Sequence, residues 1–196
     1  LTLLFDDDPI TLRRDAAYIA PSSGYTRICL EYVDDMIVGI ISDGIDCDVI
    51  VSRDGGCSFT LVERIEDVGD RPSLCVTTTG KILLSACNVG VAGVGVVYPI
   101  SPGGGAGAAI QVTENCHYEQ PIMCRDDGTV WLWRFQVSGT VGLDAAISVS
   151  LDGGLTWADP TDGSSSGYVL NAEFTLLAPV YTRISVGMWN GRAVML

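Results

Sequence analysis

The sequence predicts an all-β protein built from four similar units. Three observations carry this. The chain resembles itself at a step of about 49 residues. Short runs of β-branched and large apolar residues are bounded by Gly, Asp and Pro. No segment keeps apolar residues at i, i+3, i+4 and i+7 without a glycine break, so helix is not expected.

The step shows first in a hairpin. Val51-Ser52-Arg53-Asp54-Gly55-Gly56-Cys57-Ser58-Phe59 returns as Val149-Ser150-Leu151-Asp152-Gly153-Gly154-Leu155-Thr156-Trp157, and Asp54 and Asp152 lie 98 positions apart, twice 49. A copy is therefore expected midway. Ile100-Ser101-Pro102-Gly103-Gly104-Gly105-Ala106 fills that place, keeping the Ser and the glycines but losing the Asp. One step before Asp54, Leu4 to Leu12 aligns with Arg53 to Leu61, matching Ile10-Thr11-Leu12 to Phe59-Thr60-Leu61. Phe174-Thr175-Leu176 follows the fourth hairpin after a Ser- and Gly-rich insertion, Asp159 to Val169.

A second element repeats between the hairpins: a short strand, a turn with Gly or Asp, and an apolar strand. Its copies run from Arg27-Ile28-Cys29-Leu30, from Pro72-Ser73-Leu74-Cys75, from Pro121-Ile122-Met123-Cys124 and from Thr182-Arg183-Ile184-Ser185. The second and third copies align Cys75 with Cys124. Joined, the two elements give four strands per unit. A unit of this size cannot bury its faces alone, and radial stacking as a β-propeller solves that. Four steps account for all 196 residues. The expected organisation is one domain, 1–196, with units of about 25–70, 71–119, 120–178 and 179–196 plus 1–24. N- and C-terminal strands would share the last blade and close a four-bladed ring; the alternative is an excerpt of a larger propeller.

Bulk properties narrow the function. A hydrophobic content of 47% and a mean hydropathy of +0.33 fit a folded domain rather than disorder. No apolar run approaches the roughly 20 residues of a membrane helix, and the start of the chain does not look like a secretory signal. With 24 acidic residues against 11 Lys and Arg, the net charge of −13 repels phosphate backbones, so nucleic acid is not an expected partner. The 7 cysteines include no C-x-x-C pair, and His117, beside Cys116, is the one histidine. No metal or cofactor is expected. Free thiols point to folding in a reducing cytoplasm. The run Gly103 to Gly107 lacks the Gly-Lys-Ser/Thr of a phosphate loop and fits the hairpin register better.

The pattern Ser-x-Asp-x-Gly-x-Ser/Thr-aromatic at Ser52, Asp54, Gly56 and Phe59, and at Ser150, Asp152, Gly154 and Trp157, resembles the Asp-box, or BNR repeat, of sialidase-like β-propellers. The logic is structural: the Asp carboxylate accepts N–H bonds of its own turn, the Gly takes a positive φ, and the aromatic ring packs beneath. The resemblance implies a rim position for these turns, away from any active site. Tyr25-Thr26-Arg27-Ile28 loosely resembles the aromatic-Arg-Ile-Pro motif of that family, with Cys29 where Pro belongs.

A sialidase-type site would need three arginines on a carboxylate, a Tyr nucleophile with a Glu partner and an Asp general acid. Arg27, Arg71 and Arg183 begin first strands and are the candidates for the clamp, with Gln120 at the equivalent place in the third unit. Tyr32, Tyr181, Glu31 and Asp35 are available, but their spacing singles none of them out. Trp131, Trp133 and Phe135 alternate onto one strand face, a candidate glycan or interface contact.

The expected function is a non-catalytic structural or attachment propeller; with Asp-box repeats and no full sialidase site, the chain resembles tail or surface components of bacteriophage particles, which implies a virion component. It would contact other virion or assembly proteins, with oligomerisation allowed, or a cell-surface glycan. Its expected location is the virion, after synthesis in a reducing host cytoplasm; extracellular and cytoplasmic locations are the alternatives. The alternative function is a sialidase-like glycoside hydrolase or lectin.

Overall fold

The computed structural model describes residues 2–5, 8–11, 27–69, 72–88, 94–101, 103, 105–113, 120–138, 142–158, 169–175, 186–189 and 192–195. These residues contain strands and no helix. The first large sheet is a meander of β3 (Arg27–Val33), β4 (Met36–Ser42), β5 (Cys47–Ser52) and β6 (Thr60–Ile65). The second joins β7 (Ser73–Val76), β8 (Ile82–Asn88) and β9 (Val94–Ser101), with its outer edge split between β10 (Gly105–Ala106) and β11 (Ile110–Thr113). The third is β12 (Ile122–Cys124), β13 (Val130–Ser138), β14 (Gly142–Ser150) and β15 (Val169–Thr175). Two hairpins pair within themselves, β1 (Thr2–Phe5) with β2 (Asp8–Thr11) and β16 (Val186–Trp189) with β17 (Arg192–Met195).

Every pairing among the described residues is antiparallel, most of them between consecutive strands joined by a short turn. Between β3 and β4 the turn is only Asp34-Asp35, at φ 46° and 60°. Two successive left-handed residues give the hairpin twist that matches the strands, and Asp tolerates this region better than most residues.

The first strands neighbour one another: β3 lies against β7, β7 against β12 and β12 against β16. Their hairpin turns meet at one end. Asp34 Oδ2 lies 3.8 Å from where a Cβ of Gly80 would stand, and Thr78 Oγ1 lies 3.2 Å from that of Gly128. Between the sheets run two apolar layers. Val38, Ile40, Val49 and Val51 of the first sheet pack with Leu74, Ile82, Leu84 and Tyr98 of the second. On the second sheet's other face, Cys75, Leu83, Val97 and Val112 pack with Ile122, Val130 and Leu132 of the third. Each fully buried Val, Leu or Ile contributes about 1.5–3 kcal/mol, so the order of sheets is fixed chiefly by these layers.

One face is left uncovered. Ile28, Leu30 and Tyr32 alternate with Cys29 and Glu31 along β3 and remain 61%, 49% and 65% exposed. The corresponding face of the second sheet, with Leu74, Ile82 and Leu84, is buried against the sheet before it.

Registers partly follow the 49-residue step. Val51↔Thr60, Thr2↔Thr11 and Val149↔Ala158 are the same pair in three hairpins. The middle copy differs: Ile100 pairs with Ala106, making a tighter turn where the Asp is missing. The inner hairpins also differ from the sequence alignment. Leu74↔Leu84 and Val76↔Ile82 correspond to Ile122↔Leu132 and Cys124↔Val130, a step of 48, so in the repeat Cys124 is the counterpart of Val76 rather than of Cys75. The backbone turns fix this, since Gly80 N–H bonds Thr77 O and Gly128 N–H bonds Arg125 O, each at 2.9 Å.

Candidate functional site

Of the three arginines proposed for an anion clamp, Arg27 opens β3, while Arg71 and Arg183 lie outside the described residues, as do Tyr181, Cys116 and His117. Strand alternation puts Arg27, Cys29 and Glu31 on the face of β3 toward β7 and Tyr32 on the opposite, open face. Cys29 confirms that direction, its thiol donating to Pro72 O at 3.1 Å.

Glu31 is partly buried, and loss of solvent raises its carboxyl above the ordinary value. It stands close to Cys75 of β7: that thiol is pushed far up by burial first, then by the nearby Cys124 and Glu31. Tyr32 is built unlike a nucleophile. Its hydroxyl donates to Asp35 Oδ1 at 2.9 Å, and this bond together with the Asp35 charge raises its pKa, favouring the neutral phenol.

Gln120 does not occupy an open mouth. It is 1% exposed, with neither atom of its carboxamide hydrogen-bonded, and its backbone carbonyl accepts from Ser85 Oγ of the second sheet. The aromatic stripe of β13 is divided as well. Trp133 is a core residue, 4% exposed, whereas Trp131 is partly buried under the Arg125 guanidinium, 4.8 Å from its ring centroid. Arg125 is in turn held by Asp127 at 3.2 Å. The Phe135 side chain lies outside the described residues.

The Ser52–Phe59 and Ser150–Trp157 turns are self-contained hydrogen-bond knots. Asp54 Oδ1 accepts from Ser52 Oγ (2.7 Å) and Ser58 N–H (2.9 Å), and Oδ2 accepts from Ser58 Oγ (2.6 Å). Asp152 repeats this with Ser150 Oγ (2.8 Å), Thr156 N–H (2.8 Å) and Thr156 Oγ1 (2.6 Å), and adds Leu155 N–H (2.9 Å). In both turns the Ser hydroxyl oxygen accepts the second glycine's N–H at 2.8 Å. Trp157 closes the second turn, its indole N–H donating to Gly154 O at 3.2 Å while the ring packs on the core. Hydrogen bonds, foremost from the Ser58 and Thr156 side chains, hold both carboxyls low, that of Asp54 at about 2.

A surface groove of about 340 Å³ beside the first turn is lined by Val51, Arg53, Asp54, Ser58, Thr60 and Val62. Sequence reasoning missed it: Arg53 and Thr60 align with Leu151 and Ala158, so the shared repeat pattern does not mark them.

Among solved structures the chain is similar to an α-L-arabinofuranosidase (CtGH43) from Clostridium thermocellum ATCC 27405, at 12% identity and a TM-score of 0.52, over 85% of this chain and 58% of that one. The fold is that of a β-propeller. The chain thus spans 58% of the arabinofuranosidase's length, and its three described sheets read as part of such a propeller. Similarity extends to the GH43 endo-arabinanase of Bacillus licheniformis (12% identity, 85% of this chain, 70% of that one, TM-score 0.48). It also extends to the α-L-arabinanase of Cellvibrio cellulosa (11%, 87%, 67%, TM-score 0.49). No protein-family model and no curated protein matches the sequence.

Proposed function

We propose that this propeller handles glycans, as a glycoside hydrolase or a lectin, through the first strand β3. The observation that carries the reading is the placement of Glu31, a partly buried carboxyl with a raised pKa on the strand face toward β7. A general acid needs a carboxyl that keeps its proton closer to neutrality, and burial supplies that. Arg27, on the same face four residues away, offers a fixed fork of donors for sugar hydroxyls or a carboxylate. About 13 Å separates the two backbone positions at strand spacing, which suits an oligosaccharide rather than one ring. The propeller fold shared with the arabinofuranosidase supports this reading over a purely structural one.

The test is sugar release and sugar binding across arabinans, arabinofuranosides and sialosides. Release that disappears in Glu31→Gln, with melting temperature unchanged, establishes the hydrolase. Binding without release, weakened by Arg27→Ala, establishes the lectin. Neither binding nor release overturns the proposal.

A second reading, an attachment module assembled in a virion, is favoured by the open apolar face of Ile28, Leu30 and Tyr32. The same face bears on the proposed four-bladed ring, in which β16–β17 and β1–β2 would join as a blade and cover it. β16 lies beside β12, as the next unit would in a closed ring and in a larger propeller alike. A closed ring leaves the purified chain unable to bind an apolar dye. Dye binding that vanishes when further propeller sequence or an assembly partner is supplied identifies a piece of a larger propeller or an attachment module.

A further inference from the structure

We propose that the groove beside the Ser52–Phe59 turn is a second saccharide subsite, separate from the β3 face. Its lining combines the apolar Val62 and the edge of the buried Val51 with the polar groups of Arg53, Asp54, Ser58 and Thr60. A volume of about 340 Å³ falls at the lower end of small-ligand pockets. Apolar patches flanked by a guanidinium, a carboxylate and hydroxyls match a sugar ring, which has C–H faces and a rim of hydroxyls.

The comparison with the second turn shows what the fold itself does not need. Val149↔Ala158 pairs as Val51↔Thr60 does, and Asp152 makes the same turn bonds as Asp54, yet Leu151 and Ala158 stand where Arg53 and Thr60 are. The hairpin therefore closes without a guanidinium or a hydroxyl at those two places. Arg53 forms no ion pair among the described residues; its guanidinium rests on Met36, with Nη1 2.7 Å from Sδ. An ionised carboxylate has about four acceptor positions, of which the turn fills three at Asp54. The remaining one, on Oδ2 of a residue that lines the groove, can accept a sugar hydroxyl. Arg53 donates to a neighbouring hydroxyl oxygen, and the Ser58 and Thr60 hydroxyls complete the set.

The experiment is saturation-transfer NMR and calorimetric titration of the whole chain with arabinotriose, cellotriose and 3′-sialyllactose at millimolar concentration. At least one probe is expected to bind, with saturation passing from protein methyl groups to the sugar protons. The double variant Arg53→Leu/Thr60→Ala, which installs the residues the second turn already tolerates, is expected to weaken binding about tenfold or more at unchanged melting temperature, as loss of a charge-assisted bond implies. Glu31→Gln and Arg27→Ala are expected to leave groove binding intact, which separates this site from the β3 reading. Binding by no probe, or equal binding by the double variant, overturns the proposal whatever happens at Glu31.

Discussion

Gly154 of the third sheet's rim turn sits directly against Leu83 of the second sheet: a Cβ at position 154 would lie 2.5 Å from Leu83 Cδ1 and 3.1 Å from Cδ2. Leu83 is 1% exposed within the layer between the sheets and has nowhere to retreat. Gly154 also holds φ +91°, a conformation that costs a non-glycine residue about 1–2 kcal/mol. Overpacking a filled core adds about 1–3 kcal/mol. Gly154→Ala is therefore expected to destabilise the protein by about 3 kcal/mol. Gly153→Ala, with φ +71° but no atom within 4 Å, should show the backbone cost alone. Urea unfolding of the two variants checks this, and equal losses would contradict the packing argument.

Acid should weaken the rim turns. The Asp54 and Asp152 carboxyls lie below their ordinary value of 3.8 because turn donors bond the charged form. The folded state thus binds these protons less readily than the unfolded one. The resulting stability is complete above pH 3.8 and is lost as pH falls toward the folded value, about 2 for Asp54. Melting temperatures recorded from pH 6 down to pH 2 should fall most steeply below pH 4, and Asp54→Asn/Asp152→Asn should flatten that part of the curve.

Arg64 anchors three carboxylates at the outer edge of the first sheet: Asp43 and Asp46 at 2.8 Å and Asp48 at 3.0 Å. Asp48 is fully buried, while the Arg64 side chain is 37% exposed. Removing the cation takes an ion pair from a buried carboxylate, a loss of several kcal/mol for fully buried pairs that solvent reduces here. Arg64→Met is expected to cost about 2 kcal/mol, and Asp48→Asn in that background should recover part of it. A double-mutant cycle by chemical denaturation gives the coupling.

Thiol reactivity should separate the cysteines by burial. Cys57 is exposed on the first rim turn, whereas Cys47 and Cys75 are buried, and burial first of all raises both thiols, that of Cys47 to about 12. A thiolate-selective reagent under native conditions should modify Cys57 early and Cys47 and Cys75 only on unfolding. The fast phase is expected to lose amplitude in Cys57→Ser.

The repeat was legible because a hairpin locked by its own side chains must keep residue type and spacing together, as Ser52, Asp54 and Gly56 do with Ser150, Asp152 and Gly154. Those turns, and the pairing of Thr2 with Thr11, lie where the 49-residue step puts them. The 48-residue step of the inner hairpins was not legible, since short apolar strands such as Ser73–Val76 and Ile122–Cys124 align equally well one residue apart. Which aromatic residues are buried also escaped the pattern. Trp131 and Trp133 share a strand face, yet neighbours from elsewhere bury one and leave the other under Arg125. At the candidate site the spacing singled out neither Glu31 nor Tyr32; the structure puts them on opposite faces of β3, with Glu31 near Cys75 of β7, far along the chain.

The stacking of successive sheets underlies every reading above, and the contact between Leu83 and Gly154 reports on it directly. In a sample with labelled leucine methyls, nuclear Overhauser transfer between the Leu83 methyl groups and the Gly154 α-protons is predicted to be strong. Its absence from a folded sample with both resonances assigned would contradict the propeller arrangement.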